Sequence, residues 1–185
     1  DQKAVKDLSL LGNLYFATGD ITVIDNDATW VLMFNKEMHK DHGLDNIYDL
    51  VRENKWYYDT FYKMFEVAAM DVNGDGKMYG PDDTFGFATS DYSSYGLLYA
   101  SGELFTTRDA DEKPVLVSDH ERMSRVAEYA AKIMADTDRT VITGKQGISD
   151  SDNLRYVFEE GRALFFGEVM QCITRMRDSE TAFGL

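Results

Sequence analysis

Apolar side chains recur along this chain with two spacings, and the switches between them mark out its elements. ITVID (21–25) and TWVLMF (29–34) are short runs rich in β-branched and apolar residues, and both predict strands. Asn35 to His42 predicts a short helix, stopped by Gly43 in the left-handed conformation. In 45–53, Ile47, Leu50 and Val51 fall at helical spacing behind Asp45, a potential N-cap. From Asp59 the series Phe61, Met64, Phe65, Ala68 and Ala69 follows one helical face and runs straight into Asp71. TFGFAT (84–89) predicts a buried strand, and DYSSYGLLYASGELF (91–105) a helix ending near Gly102. LFTT, the polar RDADEKP and VLV predict a hairpin over 104–117. The longest helix is expected to open at Ser118 or Asp119, with Met123, Val126, Ala127, Ala130, Ile133 and Met134 as its apolar stripe. TVITGKQGISD (140–150) reads as a loop with two glycines, SDNLRYVFEE as a capped helix stopped by Gly161, and RALFFGEVM as a strand before a last helical stretch. Helices alternating with short strands predict an α/β domain.

One stretch fits neither period. In DVNGDGKMYGPDD (71–83), Asp71, Asn73 and Asp75 occupy alternate positions before Gly76, and Asp82 stands twelfth from Asp71. Oxygen donors at positions one, three, five and twelve, with the Lys77 carbonyl at seven and a glycine turn at six, match the spacing of a Ca²⁺ loop. Asp at the twelfth position is shorter than the usual bidentate Glu, which favours weaker binding or Mg²⁺. Pro81 and the following strand residues make this a helix–loop–strand arrangement. The competing reading is an Asx-rich turn whose side chains bond their own backbone. Both stay open at this level.

Composition narrows the function classes. The chain has 185 residues, 44% of them hydrophobic, enough for one domain with a real core. A net charge of −14 disfavours nucleic acid or an anionic membrane as partner, because both would be repelled. Cys172 is the sole cysteine, so no internal disulfide is expected. Neither a signal peptide nor a long apolar run is recognisable.

The succession GNLYFATGD, TWVLMFNKEM, YDLVRENKW, DTFYKMFEVAAMDVNGDGKM, DDTFGF and EEGRALFF resembles bacterial extracellular solute-binding proteins of family 1. These are the receptors of carbohydrate ABC importers, often cell-surface lipoproteins, and the resemblance runs from about Gly12 to Leu185. It implies one lobe of a two-lobed, periplasmic-binding-protein-like (class II) α/β fold, with helices packed around a small sheet. On this reading residues 1–185 form a single domain, the second lobe of such a receptor, with 1–28 as lead-in and hinge strands. The lipid anchor would lie outside this chain, and the partners would be a carbohydrate and the importer's permease subunits. By the same resemblance, Ser90, Tyr92 and Tyr95 at a cleft-facing helix start, and Glu168 and Met170 in the stretch after RALFF, are the candidate ligand-binding residues. Trp30 and Trp56 are expected to serve packing, Trp56 as a staple residue.

Other constellations do not assemble. His39 and His42 share a helix face but lack a third zinc ligand. GKQG (144–147) lacks the flanks of a phosphate loop. Glu159 and Glu160, being adjacent on a helix, cannot flank one glycosidic bond, so no enzyme is expected. The leading expectation is a carbohydrate-binding receptor lobe with a structural Ca²⁺ loop. The alternatives are a calcium-stabilised extracellular protein-interaction module and a hydrolase fragment, the latter requiring a carboxylate pair with shifted pKa values.

Overall fold

The computed structural model describes residues 2–17, 22–117 and 121–185. It opens with helix α1 (Gln2–Leu8), a minimal hairpin of β1 (Ser9–Leu10) and β2 (Asn13–Leu14), and the single turn α2 (Ile24–Asp27). A strand over 21–25 is therefore not formed; Ile21 lies outside the described residues. The reason is local. Asp27 and Ala28 N–H groups bond back to the Val23 and Ile24 carbonyls, and the Thr29 hydroxyl donates to the Asp25 carbonyl. Val23 and Ile24 find no sheet neighbour and stay exposed.

The centre is a five-stranded sheet of β3 (Trp30–Asn35), β4 (Phe85–Thr89), β7 (Thr140–Ile142), β8 (Ala163–Val169) and β9 (Phe183–Gly184), in the order β7-β4-β8-β3-β9. β4 runs parallel to both β7 and β8, while β3 and β9 are antiparallel neighbours at the other side. Thr140–Ile142, expected as loop, is a strand because its three residues pair with Phe87–Thr89. A three-residue run is too short to announce itself by periodicity. β5 (Thr106–Arg108) and β6 (Pro114–Leu116) form the expected hairpin outside this sheet.

Between strands the helices follow the sequence pattern. α3 (Lys36–Asp41) is capped by Asn35, whose side chain accepts from the Glu37 and Met38 N–H groups, and Gly43 follows with φ +61°. α4 (Ile47–Arg52) is capped by Asn46 rather than Asp45, since Asn46 accepts from Tyr48 and Asp49. α5 (Tyr58–Ala68) starts one residue before Asp59, which lies in its first turn instead of capping it. α6 spans Ser93–Ala100 and α7 Glu121–Ala135; the expected opening of α7 at 118–119 lies outside the described residues. α8 (Ser151–Glu159) is capped by Asp150, and the last helical stretch is a 3₁₀ turn, Met170–Met176.

Two cores result, one on each face of the sheet. Phe61, Met64, Phe65 and Ala68 of α5 pack with Ile133 of α7 against Phe34, Phe87 and Phe165. Leu154, Val157 and Phe158 of α8 pack against Met33, Phe85, Ala88 and Phe166. Full burial of each such side chain contributes about 1.5–3 kcal/mol. Gly86 and Phe87 N–H groups both point at the Arg139 carbonyl, the two-against-one pattern of a bulge. This lets Phe85 serve one core and Phe87 the other. Gly86 has no room for a side chain, because a Cβ would run into the Phe65 backbone. Among the described residues, no helix is long and apolar enough to cross a membrane.

Candidate functional site

In open α/β sheets, ligands collect outside the carboxyl ends of parallel strands. Here those ends belong to β4 and β8, which run in register with Thr89 beside Gly167. The chain leaves β4 at Ser90 and β8 at Met170, so segments far apart in sequence share one edge. The Thr89 hydroxyl donates to the Gly167 carbonyl at 3.1 Å, and Ser93 donates to the same oxygen at 3.3 Å. Ser90 Oγ lies 3.4 Å from Ser93 Oγ, in a buried hydroxyl cluster under the start of α6. Ser90 itself is 8% exposed, which leaves it little surface to offer a ligand.

The other nominated residues differ in their exposure. Tyr92 and Tyr95 stand 66% and 55% exposed, far more than packing aromatics would be. Glu168 is half-buried, and one of its oxygens accepts the Val169 N–H at 2.9 Å. Met170 is tied by its N–H to the Thr29 carbonyl at 2.8 Å. The ends of β4 and β8 thus carry these five residues to one end of the sheet, but Glu168 lines the cavity on the α8 face, opposite the one that α6 borders.

Below that edge, between the starts of α5 and α7 and the inward face of α6, is a cavity of about 750 Å³. Trp30, Trp56, Tyr57, Tyr58 and Tyr129 line it, with Asp59, Arg122 and Arg125. Trp56 does pack, lying 6.1 Å from both the Phe61 and Phe165 rings, yet it also borders open space. Tyr58 and Tyr129 stack with centroids 5.5 Å apart, and burial raises the Tyr58 pKa. The signal for this cavity was in the chain as WYYD (56–59), three aromatics and an acid on entry to a helix. Trp30 and Trp56 were expected to pack only.

On the opposite face a cavity of about 130 Å³ lies among Arg155, Glu168, Cys172 and Arg175. Its charges are mutually engaged: Arg175 pairs with Asp152 at 3.0 Å, and Arg155 with Glu159. Burial, aided by the Glu168 carboxylate, pushes the Cys172 thiol up to about 12. It stays protonated and unreactive at neutral pH.

The acidic loop is closed at its base by paired bonds between Met70 and Thr84. Asp71 accepts the Gly74 and Gly76 N–H groups, Asn73 that of Asp75, and Asp75 that of Lys77. These are Asx-turn bonds. The buried carboxylate is Asp83, not Asp82: it accepts from Val72 at 2.9 Å and Tyr79 at 2.7 Å, whereas Asp82 is exposed. Among the described residues, no three His, Cys, Asp or Glu side chains gather closely enough to hold a metal ion.

No protein-family model and no curated protein sequence matches the chain. Solved structures do match by shape. A maltotriose binding protein of Thermus thermophilus, bound with maltotriose, superposes with a TM-score of 0.57 at 14% identity, over 100% of this chain and 42% of its own. A maltose/maltodextrin-binding domain of Bdellovibrio bacteriovorus bound to maltotriose gives 0.55 at 16%, over 85% of this chain and 36% of its own. An ABC substrate-binding protein of Listeria monocytogenes in complex with cycloalternan gives 0.54 at 12%, over 99% and 41%. The chain therefore spans about two-fifths of the length of the structures it matches.

Proposed function

We propose, from the premise that this chain has the fold of one lobe of a sugar-binding ABC solute receptor, that it supplies one wall of a carbohydrate site and performs no chemistry. The ligand lies along the carboxyl edge of β4 and β8. Tyr92 and Tyr95 stack on the C–H faces of the sugar rings and Met170 adds apolar contact, while buried Ser90 braces the start of α6 through Ser93 and Glu168 belongs to the α8 face. One observation carries this reading: two tyrosines more than half exposed beside the carboxyl ends of parallel strands. The protein then works outside the cytoplasm, extracellularly or in the periplasm, and hands its ligand to permease subunits. A lipid anchor outside this chain would hold it at the membrane.

A single wall buries too little ligand to offset the cost of ordering it, so the chain alone should bind with a Kd of order 1 mM. Calorimetry with maltotriose, cellotriose and laminaritriose reads this directly. Tyr92→Ala should weaken the bound sugar roughly fivefold, the worth of one aromatic stack. No binding by any of the three, or no effect of Tyr92→Ala, overturns the proposal.

The acidic loop is part of the same proposal as a structural Ca²⁺ site. Asp71, Asn73, Asp75 and Asp82 would supply side-chain oxygens and Lys77 its carbonyl. Carboxylate oxygens that accept one N–H keep further lone pairs for a cation. Gly76, at φ +79°, makes the turn such a loop needs. At a hundredfold excess over Kd, an ion bound only to the folded state stabilises it by about 2.7 kcal/mol. Saturating Ca²⁺ should raise Tm, and Asp75→Ala should remove that increment; a Tm indifferent to both Ca²⁺ and EDTA leaves only the Asx turn.

A further inference from the structure

We infer that the aromatic cavity beneath α6 is a second carbohydrate subsite, continuous with the sheet edge and distinct from the tyrosines there. This rests on the sugar-binding reading above. Continuity follows from the lining. Ser93 and Gly167, which share a hydrogen bond at the edge, also face the cavity, and Trp30 at its border pairs with Val169 at the end of β8. Ser93 and Gly167 are buried against each other, so a sugar chain along the edge turns inward past Trp30.

The chemistry selects a sugar over a wholly apolar ligand. Aromatic faces from Trp30, Trp56 and Tyr57 would suit either occupant. The charged groups discriminate. Arg122 is committed, with its Nε 3.0 Å from Glu103 and one terminal nitrogen donating to the Ser101 carbonyl at 2.9 Å. Arg125 also lines the cavity and, among the described residues, has no ion-pair partner. Among the described residues, Asp59 accepts only a long 3.5 Å bond from the Tyr129 hydroxyl. Both side chains are exposed, so an apolar occupant would leave them hydrated, and what they add is hydrogen-bonding capacity that only a polar ligand can use. A polyhydroxy ring offers hydroxyls that accept from Arg125 and donate to Asp59 while its C–H face lies on an indole.

Gly96 gives the cavity its depth. It sits within α6 without a positive φ, so the backbone does not require glycine there, and the residue costs that helix roughly 0.5–1 kcal/mol relative to alanine. A Cβ at this position would lie 3.3–3.5 Å from the Trp30 indole. The missing side chain lets α6 rest on the flat of Trp30 and keeps the ring out of the open space.

The experiment uses the chain's own tryptophans. Its two, Trp30 and Trp56, both line the cavity, while the edge aromatics are tyrosines. Occupancy of the subsite must therefore change tryptophan emission, whereas edge binding alone need not. Maltotriose, cellotriose and laminaritriose are titrated while calorimetry and emission at 295 nm excitation wavelength (roughly the tryptophan-selective range, since tyrosine absorbs little there) are followed together. We expect a saturable emission change with the calorimetric midpoint. Gly96→Leu should abolish that change and weaken binding roughly fivefold. Gly96→Ala, a milder intrusion, should keep or raise Tm while reducing the emission change, which separates blocking from misfolding. Tyr92→Ala should weaken binding yet leave the emission change at saturation intact. Sugar binding with silent tryptophans, or an unaltered response in folded Gly96→Ala and Gly96→Leu, overturns the subsite and leaves the edge site standing. Absence of any binding overturns both.

Discussion

The two faces of the central sheet are covered by helices yet end up differently. On the α8 face, Leu154, Val157 and Phe158 descend onto Phe85 and Phe166, and the space left is about 130 Å³. On the other face α5 packs as densely, but further along the sheet about 750 Å³ remains open. The difference lies in side-chain volume. α8 turns large residues inward, whereas α6 presents Ser93, Gly96, Leu97 and Ala100 to the same space. Small residues cannot fill the distance between a helix and a sheet, and the void they leave is walled by aromatics. One face of the sheet is closed by large side chains and the other keeps open space.

This contrast can be broken from its most rigid point outward. Gly86→Ala should have the largest effect, because its new methyl group would meet Phe65 backbone that has nowhere to move. We expect loss of cooperative thermal unfolding; a folded variant with wild-type Tm would show that α5 can lift from β4. Next, Phe158→Ala on the closed face should cost about 3–5 kcal/mol in denaturant unfolding. Trp30→Phe beside the open cavity should cost less than about 1.5 kcal/mol, since its ring is 37% exposed and already borders a void. Equal costs for the two would erase the distinction between the faces.

The smallest effect is expected at alkaline pH. The Cys172 thiol titrates at about 12 in the fold against an ordinary 9.0, because burial disfavours the thiolate. The native state thus holds a proton that the unfolded chain gives up. The stabilisation is full below pH 9 and is lost as pH rises toward 12. Tyr62 acts with the same sign, its phenol held protonated up to about 12 by donation to Asp136 at 2.5 Å. Cys172→Ala should flatten the fall of Tm above pH 9 without removing it, and an unchanged slope would mean that the closed face admits water.

Much of the fold was legible because it depends on neighbours in sequence. The i, i+3, i+4 series in α5, α7 and α8 and the apolar runs of β4 and β8 specify elements through period alone. Gly43 and Gly161 as stops are likewise local chemistry, whereas Asn35, expected inside its helix, is the cap. The resemblance to solute-binding proteins, read from the order of loose segments, agrees with the fold of the sugar-binding structures the chain matches. The donor spacing of the acidic loop was visible too, although its inward carboxylate proved to be Asp83, buried by a turn whose path the spacing does not fix.

What required the tertiary structure was everything set by pairing and by volume. Thr140–Ile142 becomes a strand only because Phe87–Thr89 lies alongside, whereas Ile24 and Asp25 are taken up by the α2 turn. Thr89 and Gly167 meet because β4 and β8 run parallel in register, a relation between residues 78 positions apart. Trp30 and Trp56 look like core residues in the chain, as aromatics usually are. Only the small inward face of α6 turns them into the walls of a cavity, because an empty space is a property of several elements at once and is written in none of them singly.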